Sequence, residues 1–152
     1  MSAATTPEPR VLYTLAEKET REVARTLART LRGGEVILLE GPLGTGKTVF
    51  VRGLVEGLGG DPDDVASPSF VLCREYGAAR LHVFHMDLYR LDEGADLSDL
   101  AIDDLITLGG VVAVEWGEKL PEPLRRSAIR VCLADLGEDS RRLEVTDTRE
   151  GA

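Results

Sequence analysis

At 152 residues the chain has the length of one ordinary domain, and its 43% hydrophobic content is enough to build a buried core. With 27 acidic residues against 18 basic ones the formal net charge is −9, which excludes a protein that grips nucleic-acid phosphates over its whole surface. Aromatics make up only 5%, and the Leu-, Val- and Ala-rich remainder suits helices packed on a buried sheet better than an all-β sandwich.

Residues 1–10 are rich in Thr, Pro and Ala and read as a loose tail ahead of a single domain spanning residues 11–148. An edge strand is expected over 11–15. Residues 17–31 are amphipathic: Val23, Leu27 and Leu31 share a face with Thr20, Ala24 and Ala28 beside them, and Gly33-Gly34 is expected to end the helix. Residues 35–40 carry a four-residue aliphatic run of the kind a strand covered on both faces needs.

A glycine-rich turn over 41–46 follows at once, then a helix over 47–58 with Phe50, Leu54 and Leu58 on one side. Residues 65–70 form a loop containing Ser67-Pro68. Strands are expected over 71–76 and 80–88, joined at Gly77. The acidic stretch 92–108, broken by Gly94, reads as two short helices. A second buried strand is expected over 111–116, and Pro121-Glu122-Pro123 reads as a connector. Two last strands, 128–134 and 142–145, flank a turn at Leu136-Gly137-Glu138-Asp139. Cys73 and Cys132 stand alone on separate strands and are expected as buried reduced thiols. No apolar run is long enough to span a bilayer, and the N-terminal residues lack the apolar stretch of a signal peptide, so a cytoplasmic protein without membrane contact is expected.

Gly41-Pro42-Leu43-Gly44-Thr45-Gly46-Lys47-Thr48 fits the phosphate-binding pattern GxxxxGK[ST] at every required position. Glycines let backbone N–H groups turn inward around anionic phosphates, and the helix starting here aims its positive end at the same spot. Lys47 supplies a cation for the outer phosphates, and the Thr48 hydroxyl is an oxygen ligand suited to Mg²⁺. An aliphatic strand before the loop and a helix after it complete the context.

Two acids end aliphatic runs: Asp87 after residues 81–86 and Glu115 after residues 111–114. Open α/β sheets bind ligands at the carboxyl ends of their strands, so both carboxylates are placed where an Mg-nucleotide would lie. A P-loop ATPase needs one acid for Mg²⁺ and one group to orient the attacking water. Solvated strand-end acids are the competing reading. His85 reads either as a general base or, more simply, as a partly buried strand histidine. Trp116, the single tryptophan, reads as packing in the core or at the edge of the site.

Four motifs then occur in order: the loop at 41–48, Ser67-Pro68-Ser69-Phe70, His85-Met86-Asp87-Leu88-Tyr89-Arg90-Leu91, and Val114-Glu115-Trp116. Together they resemble the TsaE (YjeE) family, over residues 12–145. The resemblance implies an α/β, P-loop NTPase-like three-layer fold, its central mostly parallel sheet extended by antiparallel strands. It implies Mg²⁺-dependent ATP hydrolysis in the synthesis of tRNA threonylcarbamoyladenosine at position 37, alongside TsaB and TsaD, with TsaC in the same pathway and tRNA met only indirectly. On this chain it places the phosphates on Gly41, Gly44, Thr45, Gly46 and Lys47, and Mg²⁺ on Thr48. Asp87 lies near the metal, and Glu115 orients the attacking water or contacts the metal. Ser69 belongs to a loop that senses the γ-phosphate, and Arg141 reaches the nucleotide.

Three residues depart from the family pattern. Pro42 replaces an acid and removes one N–H donor. Val49 replaces a threonine, leaving only its backbone for an α-phosphate. Ser69 replaces a threonine but keeps the hydroxyl. A small P-loop kinase would need an acceptor pocket and an arginine-bearing lid, for which Arg125-Arg126 is the only candidate. A GTPase would carry NKxD and DxxG motifs, and neither occurs. A nucleotide-dependent binding module with scarcely any turnover is the third alternative.

Overall fold

The computed structural model describes residues 8–42, 44–66, 73–77, 80–89 and 101–149. In chain order these form β1 (Arg10–Thr14), α1 (Glu17–Ala28), β2 (Val36–Glu40), α2 (Lys47–Gly57), β3 (Cys73–Tyr76), β4 (Val83–Asp87), α3 (Ile102–Thr107), β5 (Val111–Glu115), α4 (Glu122–Ser127), β6 (Ile129–Gly137) and β7 (Ser140–Thr146). Residues 67–70, with Ser69 among them, lie outside the described residues, as do 92–100 of the acidic stretch and residues 1–7 of the N-terminal segment.

The strands form one seven-stranded sheet in the order β1-β7-β6-β2-β5-β4-β3. Its four middle strands, β6, β2, β5 and β4, run parallel. β7 and β1 extend one edge antiparallel, and β3 extends the other. The architecture is thus α/β with a mostly parallel centre and antiparallel margins, as expected from the sequence. Period-2 alternation splits the central strands between two cores. Ile37, Leu39, Val111 and Ala113 face α1 and α2, while Val36, Leu38, Val112 and Val114 face α3 and α4. Burial on both faces is why β2 and β5 read as unbroken aliphatic runs.

α1 and α2 cross at very short range. A Cβ added to Gly53 would lie 2.5 Å from Ala24 Cβ, and one added to Gly57 would lie 2.7 Å from Ala28 Cβ. The fully buried stripe of α1 is therefore Thr20, Ala24 and Ala28, while Val23 and Leu27 only pack at the margin of the core. The sequence reading put the large residues at the centre of this face; the glycines of α2 invert that, because only small residues fit a crossing so close. Arg21 and Arg25 both bond Glu56 across the seam.

Three expected boundaries move. α1 ends at Ala28 rather than running to the glycine pair, and its end is capped by Arg80, which donates to Leu31 O and Ala28 O at 2.5 Å each. The expected connector at Pro121 instead opens helix α4, with a proline in its first turn, a place where a missing N–H costs nothing. The final hairpin is longer than expected, so Leu136 and Gly137 belong to β6 and the turn narrows to Glu138-Asp139.

Candidate active site

β2 delivers the chain to Gly41 at the carboxyl edge of the sheet, and α2 leaves from Gly46. Gly41, Gly44 and Gly46 have φ of 141°, 80° and 99°. At Gly41 a side chain would strike Leu133 O at 2.6 Å and Thr45 Oγ1 at 2.8 Å, whereas at Gly44 it would meet nothing within 4 Å. Gly41 is thus required for room and Gly44 for its backbone conformation. The buried Thr45 hydroxyl donates to Pro42 O at 2.7 Å and braces the turn. Gly46 caps the eleven-residue α2 without any side-chain acceptor, so the first amides of the helix remain available to an anion.

Lys47 is 5% exposed. Its Nζ donates to Gly41 O at 2.8 Å, lies 3.7 Å from Glu115 Oε1 and sits 5.0 Å from the centre of the Trp116 ring. Glu115 is equally buried, and its Oε2 lies 2.6 Å from His85 Nε2. Asp87 is the Cα partner of Glu115 in the adjacent strand, half-buried, with Oδ1 accepting from Tyr89 N at 2.9 Å. Thr48 and Val49 occupy the first turn of α2, both half-buried.

From across the sheet, Arg141 of β7 donates Nε to Thr45 O at 2.9 Å and Nη2 to Gly44 O at 3.4 Å. The same guanidinium bonds Asp135 Oδ1 at 3.1 Å and Glu138 O at 2.9 Å, which fixes the β6–β7 turn against the loop. The structure therefore brings together Gly41, Gly44, Thr45, Gly46, Lys47, Thr48, Val49, Asp87, Glu115 and Arg141.

Trp116 begins a 3-10 turn at φ 61°, an uncommon conformation for a bulky residue. Its indole lies 4.9 Å, centre to centre, from the Tyr89 ring and covers Lys47. Trp116 is therefore at the site rather than in a remote part of the core. His85 is fully buried, not partly so, and contacts Glu115 directly. The signal for that contact was the two-residue offset that puts His85 and Asp87 on one face of β4.

The donor set fits an Mg-nucleotide: a hydroxyl and two carboxylates are hard oxygen ligands, and Mg²⁺ needs only one or two of them besides phosphate and water. The cysteines take no part. Both are half-buried and unpaired. Burial, with the neighbouring Glu40 carboxylate, pushes the Cys132 thiol up to about 11, and burial also raises Cys73. Neither is a thiolate nucleophile at neutral pH.

A cavity of about 440 Å³ adjoins the loop, lined by Pro42, Lys47, Trp116, Arg125 and Arg130 among others. A larger groove of about 760 Å³ lies between α1, β1 and β7 and contains none of the loop residues. The buried Lys47, whose ammonium lies 3.7 Å from Glu115, lines the smaller one.

The sequence model of the family described as "Threonylcarbamoyl adenosine biosynthesis protein TsaE" matches residues 14–143. The TsaE protein of Bacillus subtilis is 36% identical over 138 residues, covering 91% of this chain and 84% of that protein. That of a Nostoc species is 41% identical over 137 residues, covering 87% and 83%. That of Streptomyces coelicolor is 38% identical, covering 86% and 91%. Among solved structures, Bacillus subtilis YdiB superposes with a TM-score of 0.74 at 29% identity, covering 96% of this chain and 90% of that one.

Proposed function

From the premise that the chain belongs to the TsaE family of tRNA threonylcarbamoyladenosine biosynthesis proteins, we propose that it is an Mg²⁺-dependent ATPase that acts with TsaB and TsaD. The observation that carries this reading is the buried Lys47–Glu115 pair standing beside a glycine loop whose helix amides are uncapped. The Lys47 ammonium has three N–H donors and gives one to the Gly41 carbonyl, which leaves donors for an anion.

In this reading Lys47 and the amides of residues 44–48 hold the phosphates. Thr48 and Asp87 hold the metal, which when bound neutralises charge on the transferring phosphoryl group. Glu115, walled by Trp116 and nearly closed to solvent, orients the attacking water and accepts its proton. Arg141 fixes the loop by gripping the Thr45 and Gly44 carbonyls.

Among the described residues, Arg141 is committed to the loop carbonyls, and Arg125 and Arg130, which line the adjoining cavity, bond Leu120 O and Glu40 rather than the loop. An arginine finger is worth ~10³–10⁵ in rate for this chemistry, so slow turnover alone and faster turnover with TsaB–TsaD are expected. Free phosphate released from Mg-ATP, measured with and without that pair, tests the reading. Rapid turnover that the pair leaves unchanged, or a phosphorylated small molecule as product, would count against it and favour a kinase.

A further inference from the structure

We propose that His85 is a positioning residue for hydrolysis: its Nε2–H holds Oε2 of Glu115, so that Oε1 is presented to Lys47 and the loop. The inference rests on the ATPase reading and adds a residue to it. Its basis is the way β4, β5, β2 and β6 align. His85, Ala113, Ile37 and Ile129 form one cross-strand row on the α1–α2 face, and the next row is Asp87, Glu115, Leu39 and Val131.

Across β5, β2 and β6 every other member of the His85 row is apolar and buried, while on the β3 side the half-buried Arg74 pairs with His85. A leucine or methionine would suit that row, whereas a fully buried imidazole brings two polar nitrogens that must be satisfied. One of them is: Nε2 meets Glu115 Oε2 at 2.6 Å. A carboxylate only accepts, so Nε2 carries the proton of this contact. Nδ1 has no partner among the described residues. The imidazole thus directs one nitrogen at the Glu115 carboxylate and leaves the other without a partner among the described residues.

Among the described residues, the Glu115 carboxylate has no other side-chain anchor on that side. Glu115 is held by His85 through Oε2 and approached by Lys47 at 3.7 Å through Oε1. In the ATPase reading Lys47 turns toward the phosphate and exchanges its bond to the Gly41 carbonyl for one to the anion. Once it does, His85 is the contact that still fixes the carboxylate. Misplacing a group of this kind by about 1 Å costs on the order of 100-fold in rate.

The experiment compares the wild type, His85→Leu, His85→Asn, His85→Gln and Glu115→Gln as full chains. Single-turnover hydrolysis of Mg-ATP, with protein in excess and the TsaB–TsaD pair present, is measured alongside ATP affinity by calorimetry. His85→Leu and His85→Asn, which lack an N–H at the Nε2 position, are expected to slow hydrolysis about 100-fold with ATP affinity within about 3-fold. His85→Gln, whose amide N–H reaches that position, is expected to recover at least a tenth of the rate, a rescue that a purely structural role would not give. Should the leucine variant not fold, the polar asparagine variant carries the test. In a Glu115→Gln background His85→Asn is expected to cost nothing further. Undiminished hydrolysis in a folded His85→Leu or His85→Asn, or no recovery in His85→Gln, overturns the proposal. A wild type no faster than Glu115→Gln overturns the ATPase reading itself.

Discussion

The ammonium of Lys47 is sheltered by the Trp116 ring and bonded to the carbonyl of Gly41. Replacing Lys47 with Ala removes the single cation of the loop without touching the Thr45–Pro42 brace that holds the turn. Lys47→Ala is expected to weaken Mg-ATP binding by roughly 10–100-fold, the worth of one charge-assisted contact. Calorimetry checks this, with circular dichroism to confirm the fold; unchanged affinity in a folded variant would move the site elsewhere. The two acids should separate. Glu115→Gln keeps the shape but cannot take a proton, so binding is expected to persist while hydrolysis drops about 100-fold or more. Asp87→Asn should instead flatten the dependence of binding on Mg²⁺. Much of this was legible from spacing, because a glycine loop, its lysine and two strand-end acids are fixed by local chain geometry. The grip of Arg141 on the loop carbonyls was not: the residues it joins are 96 and 97 positions apart, and only the sheet order brings them together.

At the scale of elements, the α1–α2 crossing sets how firmly the helix that carries Lys47 is seated. Ala is up to ~1 kcal/mol better than Gly inside a helix. At Gly53, however, the added methyl meets both Ala24 Cβ and the Arg21 backbone, neither of which can rotate away. Overpacking of that kind costs about 1–3 kcal/mol, so the clash wins and Gly53→Ala is expected to lower Tm by several degrees in a thermal melt. The Arg21–Glu56–Arg25 cluster is sensitive to acid. The hydrogen bond from Arg25, then that from Arg21, holds the Glu56 carboxyl below the usual carboxylate range against its partial burial. Its stabilisation is therefore full above the unfolded value of about 4.3. It is lost as pH falls through the lower folded value. Melts of wild type and Glu56→Gln should differ at neutral pH and converge in acid; a gap that widens in acid would contradict the assignment. Hydrophobic periodicity found α1, α2 and the buried strands, but it ranked Val23 and Leu27 above Ala24 and Ala28. Periodicity weighs size, and the closeness of a crossing is decided by the partner helix. It missed α4 because two prolines in six residues read as a connector unless the first is recognised as a helix opening.

Over the whole molecule, acidic charge exceeds basic charge by nine. Much of the arginine is committed to internal ion pairs, as with Arg149 to Asp147 and Arg141 to Asp135. The protein by itself is expected to bind tRNA weakly, with affinity that falls steeply as salt rises. An anisotropy titration at physiological ionic strength tests this, and tight salt-resistant binding would reveal a basic surface beyond those described. Composition pointed to helices packed on a buried sheet, and the family resemblance carried by the four motifs implied its mostly parallel centre. The antiparallel margins depended on long-range pairing. β1 could be recognised as an edge strand, but nothing local says that its neighbour is β7.

That pairing has a consequence for how the protein is made. β1 leaves the ribosome first, yet the strand it zips against, β7, begins at Ser140. The loop at 41–48 emerges early and waits for Arg141 before its carbonyls are clamped. Synthesis proceeds at about 5–20 residues per second, so for several seconds a nascent chain carries the whole phosphate-binding motif without the hairpin that shapes it. The clamp on the loop carbonyls therefore arrives with β7, and a message truncated between the loop and that strand encodes the motif without its clamp.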